Sequence, residues 1–358
     1  MWFSCRTSFD SVPNRVKLMI KVMAFVALVL YLTLVLCQNV SGYQDLKLSD
    51  SFRRVANTVD VKHDFRIKTN IKPKDELKIR SAATSATPKP PTIELNDIFI
   101  SVKTTKSNHN NRLDLILNTW HQLAKEQTWF FTDDDDKVYQ DRTGGHLINT
   151  NCSNGHFRRA LCCKMSVELD MFLESSKKWF CHFDDDNYVN VPRLVSLLNE
   201  YSPTMEWYLG KPSVASPLEI HLEYKKRKIS EPRVKFWFAT GGAGFCISRS
   251  LALRMMPIAG GGKFISIGDR IRFPDDVTMG FVIEHLLSVP LTVVDQFHSH
   301  LEPMEYIGSD TFQNQVSFSY GKNQNDWNVI NIDGFDKLSD PTRYRSLHCH
   351  LFPQQCKR

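Results

Sequence analysis

The chain has 358 residues, 42% of them hydrophobic and 23% charged, the make-up of an ordinary globular protein with room for one large domain or two modest ones. Its formal net charge of +6 comes from basic residues in the first hundred positions and from the run Lys225-Lys226-Arg227-Lys228. Without a zinc-finger spacing or a basic stripe interleaved with aromatics, this argues against nucleic-acid binding, and the basic run reads as a solvated loop. The nine cysteines form no C-x-x-C pair of the zinc or thioredoxin type; scattered singles, the adjacent Cys162 and Cys163, and the close Cys349 and Cys356 suit disulfides and an oxidising compartment.

In chain order, residues 1–17 are a short basic tail. Leu18 to Leu36 is one apolar run, long enough at about 1.5 Å per helical residue to cross a bilayer core of about 30 Å. Arg6, Arg15, Lys17 and Lys21 precede or open it and only Lys47 follows closely, so the positive-inside bias keeps the tail cytosolic. This predicts an uncleaved signal-anchor over 18–37 in type II orientation, with a cleaved signal peptide as the competing reading. Residues 38–92 are polar and lysine-rich and end in a small-residue and proline stretch, which predicts a lumenal stem without a packed core. Asn39-Val-Ser41 and Asn151-Cys-Ser153 are glycosylation sequons if the segment is lumenal; Asn39 sits close to the membrane, which leaves Asn151 as the candidate.

From residue 93 to 358 short apolar runs alternate with helical patterns. Asp97–Lys103, Trp129–Thr132, His146–Asn149 and Trp179–Phe183 read as strands; Arg112–Trp120, Arg158–Glu174 and Pro192–Tyr201 read as helices. The alternation predicts an α/β domain with a mainly parallel sheet, whose ligands bind beyond the carboxyl ends of the strands. There the sequence places Asp184-Asp185-Asp186. Three adjacent carboxylates after a buried strand repel one another, and a hard divalent cation would compensate them. A second run, Asp133 to Asp136, lacks an apolar frame and reads as a solvated acidic turn, although Asp133 follows a strand and is placed to touch a nucleotide.

Phe183-Asp-Asp-Asp-Asn-Tyr-Val-Asn190 resembles the metal and nucleotide-sugar motif of GT-A glycosyltransferases of the Fringe family. The likeness extends through Val102-Lys-Thr-Thr105 with Arg112, Phe236-Trp-Phe-Ala-Thr-Gly-Gly-Ala-Gly-Phe-Cys246, Phe273-Pro-Asp-Asp-Val-Thr-Met-Gly280, Phe297-His-Ser-His-Leu-Glu302 and Arg345-Ser-Leu-His-Cys349. The resemblance implies a GT-A type domain that moves GlcNAc from UDP-GlcNAc to the 3-hydroxyl of O-linked fucose on EGF repeats of Notch-type receptors, with inversion, in the Golgi membrane. It further implies that Asp186 and His300 ligate Mn²⁺, with His298 as the rival ligand, that Asp185 contacts the donor, and that Arg112 binds substrate. The implied disulfides are Cys152–Cys163, Cys181–Cys246 and Cys349–Cys356, with Cys162 able to replace Cys163.

The general base lies in Pro274-Asp275-Asp276, at the start of a helical pattern through Leu287. Proline suits the first helical turn, and a helix N-terminus favours ionised carboxylates. Helical geometry turns one of the two toward a pocket without choosing which; the family likeness chooses Asp276. The Thr240-Gly-Gly-Ala-Gly244 turn lacks a P-loop lysine and reads as a close backbone approach to sugar or acceptor, or as a plain tight turn. Two alternatives stay open: another β-1,3-glycosyltransferase of galactosyl or core-1 type, and a catalytically inactive lectin-like scaffold.

Overall fold

The structure, a computed structural model, describes residues 92–221, 233–322 and 326–356. The tail, the apolar run 18–37, all but the last residue of the stem, Asn39 and the basic run Lys225 to Lys228 lie outside the described residues. Among the described residues no helix is long and apolar enough to cross a membrane.

Thirteen strands follow in chain order among the described residues. They are β1 (Ile98–Lys103), β2 (Thr128–Thr132), β3 (Leu147–Asn149), β4 (Trp179–Asp184), β5 (Tyr188–Val189), β6 (Tyr208–Gly210) and β7 (Leu218–His221). After them come β8 (Arg233–Phe236), β9 (Phe245–Ser248), β10 (Thr292–Val293), β11 (Ser317–Phe318), β12 (Gly321–Lys322) and β13 (Trp327–Asn328). Seven build the central sheet in the order β10-β6-β9-β4-β1-β2-β3; β5 pairs with β11, β7 with β8, and β12 with β13. Within the central sheet β9 runs antiparallel to β4 and β6, and the remaining pairings are parallel. This is the mainly parallel α/β sheet that the strand-helix alternation predicts.

β1 is buried at all six positions, as a strand covered on both faces must be. Its side chains alternate between two cores. Ile98, Ile100 and Val102 join Trp120, Leu113, Phe183 and Leu194 on one side. Phe99 joins Phe131, Phe180 and Phe245 on the other, beneath Met165, Leu169 and Phe172 of the helix Arg158–Glu174. That helix falls on the residues its pattern predicts. Two others depart from theirs: the predicted helix from Arg112 is a π-turn over His109–Leu113 followed by a short helix Asp114–Leu117, and Trp120 begins a 3-10 turn. The helix after Pro274 runs over Asp275–Gly280 and continues as a π-helix through Leu286, with Pro274 in the N-cap position rather than in the first turn.

Parallel register puts the last residues of β1 and β4 side by side, Lys103 opposite Asp184. In β4 and β9 Cys181 faces Cys246, and the two are bonded; Cys152 is bonded to Cys163 and Cys349 to Cys356, the three pairs that the family resemblance implies. Cys162 is the buried free thiol among the described residues. Asn151 is exposed on a left-handed backbone (φ 55°).

Gly244, at φ 85° and ψ 158°, ends the turn that leads into β9. A Cβ there would stand 2.4 Å from the Phe183 ring and 3.0 Å from the His182 carbonyl oxygen. The backbone conformation alone costs an L-residue about 1–3 kcal/mol, and the clash adds to it. Gly244→Ala should therefore lower the unfolding free energy by at least that much, with a matching fall in denaturant midpoint, while Gly261→Ala, whose Cβ would meet open space, loses only the backbone share. Equal midpoints for the two variants would contradict this packing.

Candidate active site

The turn after β4 is built before any ligand is considered. The Asn187 side chain accepts a hydrogen bond from the Asp184 backbone N–H (2.9 Å) and donates to the Gly242 carbonyl (2.8 Å), tying the acidic turn to the glycine turn. The indole N–H of Trp120 donates to the Asn187 carbonyl, and the Tyr344 hydroxyl donates to the carbonyls of Asp186 and Phe318. The helix Tyr344–Leu351 thus holds the turn from outside the sheet.

The three carboxylates meet three different environments. Asp184 Oδ1 lies 3.0 Å from Lys103 Nζ and 3.6 Å from His182 Nε2. Burial opposes its charge, yet Lys103 and His182 hold Asp184 well below the usual carboxylate range. Asp185 receives hydrogen bonds from Thr104 (2.8 Å), Asn108 (2.8 Å) and Arg112 (2.7 Å), so its oxygens serve first to fix Arg112. Asp186 has a longer contact to Arg112, 3.3 Å, and a long hydrogen bond from Ser319, 3.5 Å. Burial, with Asp184 and Asp185 beside it, pushes Asp186 up to about 8. The expected cation is therefore replaced by protein cations at Asp184 and Asp185, and Asp186 alone is left short of positive charge.

His300 Nδ1 stands 3.8 Å from Asp186 Oδ2, with Ser319 Oγ within 3.5 Å of both side chains. Burial holds His300 below its ordinary value, which keeps a nitrogen lone pair free for a metal. Both ring nitrogens of His298 are engaged, by Glu302 (3.2 Å) and Gln315 (2.9 Å), so the rival ligand points elsewhere. Asn328 Nδ2 donates to the carbonyls of His300 and Glu302, fixing the loop that carries them.

Asp276 lies across the glycine turn. Its Oδ2 accepts from the Gly241 N–H (3.2 Å) and its Oδ1 from its neighbour Val277 (2.7 Å). A Cβ on Gly241 would be 3.5 Å from Asp276 Cβ, one on Gly242 would be 3.3 Å from His300 Cε1, and both would be 3.9 Å from Asp184 Oδ2. Absence of those two carbons keeps Asp276, Asp184 and His300 around one gap. Burial, then Asp275, pushes Asp276 up to about 6, so burial outweighs the helix-end stabilisation expected at this position. Asp275 turns inward to Lys103, at 2.5 Å.

A cleft of about 1010 Å³ opens over Arg112, Asp186, His300, Tyr320 and Trp327. Arg112 sits 5.8 Å from the Tyr320 ring centroid, and Tyr320 lies 6.0 Å from Trp327, which gives the cleft an aromatic wall. The structure therefore gathers Arg112, Asp186 and His300 at one opening, with Asp185 buried behind Arg112, and sets Asp276 beside Gly241, outside the cleft lining.

The sequence model of one protein family, described as Fringe-like, matches residues 93–355, the whole of this sheet and site. The chain belongs to the Fringe-like family. It is similar to the Fringe glycosyltransferase of Drosophila melanogaster, 73% identical over 271 residues, covering 76% of this chain and 66% of that one. The β-1,3-N-acetylglucosaminyltransferase radical fringe of Gallus gallus is 52% identical over 262 residues (73% and 70%), and lunatic fringe of Homo sapiens 50% over 258 residues (72% and 67%). The chain spans about two thirds of the length of these relatives.

Around this Fringe-like site the structure corrects one reading of the sequence and adds residues that it lacks. Asp133 is not part of a solvated turn: its side chain is fully buried against Lys164 (2.9 Å), Thr105 (2.5 Å) and the Lys106 N–H (3.0 Å). Asp136 pairs with His109 and caps the helix Lys137–Arg142, and only Asp134 and Asp135 face solvent. Beneath Asp184, Glu168 accepts from Ser101 (2.7 Å) and pairs with His182 (2.6 Å), all three fully buried. Burial opposes its charge, but Glu168 wins and raises His182 from 6.5 to about 9. A raised folded-state value gives stability that is complete below 6.5 and is lost as pH rises through about 9.

Glu168→Gln should thus cost about 3–5 kcal/mol near neutral pH, the usual result of stranding one partner of a buried pair. The variant should also lose the fall in stability between pH 6.5 and about 9 that the parent shows. Denaturant titrations at both ends of that range would expose an error: parallel losses in parent and variant remove His182 as the titrating group.

Proposed function

We propose that this chain transfers GlcNAc from UDP-GlcNAc to the 3-hydroxyl of O-linked fucose on EGF repeats, inverting the anomeric centre, and thereby modulates Notch-type receptors. Support comes from family membership and, above all, from one arrangement: a carboxylate and an imidazole paired at the cleft, with a second carboxylate one glycine away. Asp186 and His300 offer an oxygen and a neutral nitrogen, a donor set suited to a divalent ion of the Mn²⁺ class. Among the described residues no group of three His, Cys, Asp or Glu side chains is placed to hold a metal, so diphosphate oxygens and water must complete its shell. Mn²⁺ held there would supply the Lewis acidity that offsets charge on the departing diphosphate.

The remaining steps belong to the chain itself. Arg112, fixed by Asp185, offers its guanidinium to the anionic donor at the cleft. The aromatic wall of Tyr320 and Trp327 gives flat apolar surface against which a base or sugar can lie. Asp276 accepts the fucose 3-hydroxyl proton as that oxygen bonds to the anomeric carbon and the bond to UDP breaks. With Asp276 at about 6, the base is ionised at neutral pH yet retains basicity that an ordinary aspartate lacks. Gly241 and Gly242 leave the gap through which acceptor and donor meet.

Asp276→Asn should lower kcat about 10²- to 10⁴-fold, the range for a lost general base, with UDP-GlcNAc binding retained and no rescue by excess Mn²⁺. In the parent kcat should rise with pH through about 6, since only the ionised carboxylate accepts a proton, and the variant should lose that limb. His300→Ala should instead raise the Mn²⁺ requirement and recover partly at high Mn²⁺. A UDP-release assay with fucosylated EGF acceptor reads all of this. Near-parental turnover by Asp276→Asn, with a larger loss in Asp275→Asn, would move the base by one residue.

The anchor and stem support a single-pass type II protein of the Golgi membrane, with the disulfide-bonded domain in the lumen. Cells producing the full chain should hold it in carbonate-resistant Golgi membranes, and a chain beginning at Ile93 behind a cleavable signal should be secreted and active. Mature protein starting after Cys37 would establish a signal peptide and overturn the anchor.

A further inference from the structure

Lys103 is nearly buried at the end of β1, with a side chain 9% exposed, and lies outside the cleft lining. Its Nζ reaches Asp184 Oδ1 at 3.0 Å and Asp275 Oδ2 at 2.5 Å, the latter 172 residues along the chain. Each of these carboxylates sits next to a residue of the proposed chemistry on a different element. Asp184 ends β4 and opens the turn to Asp186; Asp275 begins the helix whose next residue is Asp276. One ammonium therefore clamps the donor-side turn to the base-bearing helix. A second link between base and turn runs through the glycines: Gly241 N–H to Asp276, and the Gly242 carbonyl to Asn187.

We propose that Lys103 is a positioning residue, which sets the reach of Asp276 toward the acceptor hydroxyl by tying Asp275 to Asp184. This rests on the transferase reading and on Asp276 as its base. A buried ion triad is stiff, because any lengthening strands a charge in a low-dielectric interior. The compact ammonium donates a hydrogen bond to Asp275 and stands at ion-pair distance from Asp184 with one atom, where a planar guanidinium would demand a fork. A misplacement of about 1 Å costs about 10²-fold in rate, so the clamp acts on turnover without touching the donor.

The test compares the full-length chain with Lys103→Met, Asp275→Asn and the double variant, by UDP release with fucosylated EGF acceptor. Lys103→Met should lower kcat at least about tenfold while the KM for UDP-GlcNAc changes less than about threefold. Asp275→Asn should show the same split at smaller or equal size, and the double variant should be no slower than Lys103→Met, since one tether is cut only once. Kinetics are normalised to the fraction of chains that bind UDP, which removes losses due to misfolding. Turnover within twofold of the parent, or effects that multiply in the double variant, would overturn the proposal. If Lys103→Met does not fold, Asp275→Asn decides alone: reduced kcat at unchanged KM supports the tether, and parental kcat refutes it. A parent that releases no UDP sinks the transferase reading itself, a different outcome from a parent that transfers while Lys103→Met matches it.

Discussion

Three carboxylates in consecutive positions at the end of a buried strand are the constraint that organises this molecule. Equal treatment of the three would leave like charges facing one another in a region of low dielectric. The fold treats them unequally. A buried lysine takes Asp184, an arginine takes Asp185, and Asp186 is left with the weaker share of that arginine. The unmet demand of Asp186 for positive charge lies at the cleft, next to an imidazole kept neutral by burial. Electrostatic shortage is thus concentrated on Asp186, the member of the three that lines the cleft.

Sheet order explains why the compensation falls that way. β1 and β4 are parallel neighbours, so their carboxyl ends finish on the same edge and Lys103 arrives opposite Asp184 by register. β2 lies beside β1, and Asp133 after it is neutralised by Lys164 from the helix above. β9 runs the other way, and so begins at this same edge and delivers the glycine turn to it. The Cys181–Cys246 bond joins β4 to β9 and keeps the acidic turn and the glycine turn in step.

Much of this was legible in the sequence, for identifiable reasons. Strands and the long helix show because burial on two faces, or on one stripe, imprints a period on nearby residues. Asp184 to Asp186 stand out because three adjacent carboxylates after an apolar strand repel one another unless something compensates them. What the sequence hides depends on partners distant in the chain. Nothing near Lys103 announces that it bridges Asp184 and Asp275, and nothing near Asp133 announces Lys164. The π-turn at His109–Leu113, which brings Arg112 to Asp185, breaks the helical period that would have revealed it. His298 and His300 are indistinguishable until the loop shows that Glu302 and Gln315 have claimed the first.

The choice between Asp275 and Asp276 follows from the same charge distribution. Both begin one helix, and a helix N-terminus alone would favour ionisation of both. Lys103 claims Asp275 and turns its carboxylate toward the sheet. That negative charge, together with burial, then acts on Asp276 and raises its affinity for a proton to the range useful near neutral pH. Lys103 pairs with Asp184 and Asp275, while Asp276, whose only hydrogen bonds among the described residues come from two backbone N–H groups, is raised by burial and by the charge of Asp275 against the opposing pull of Lys103. Basicity at Asp276 and cation demand at Asp186 therefore share one kind of cause, burial beside a neighbouring carboxylate: Asp275 for the first and Asp184 for the second.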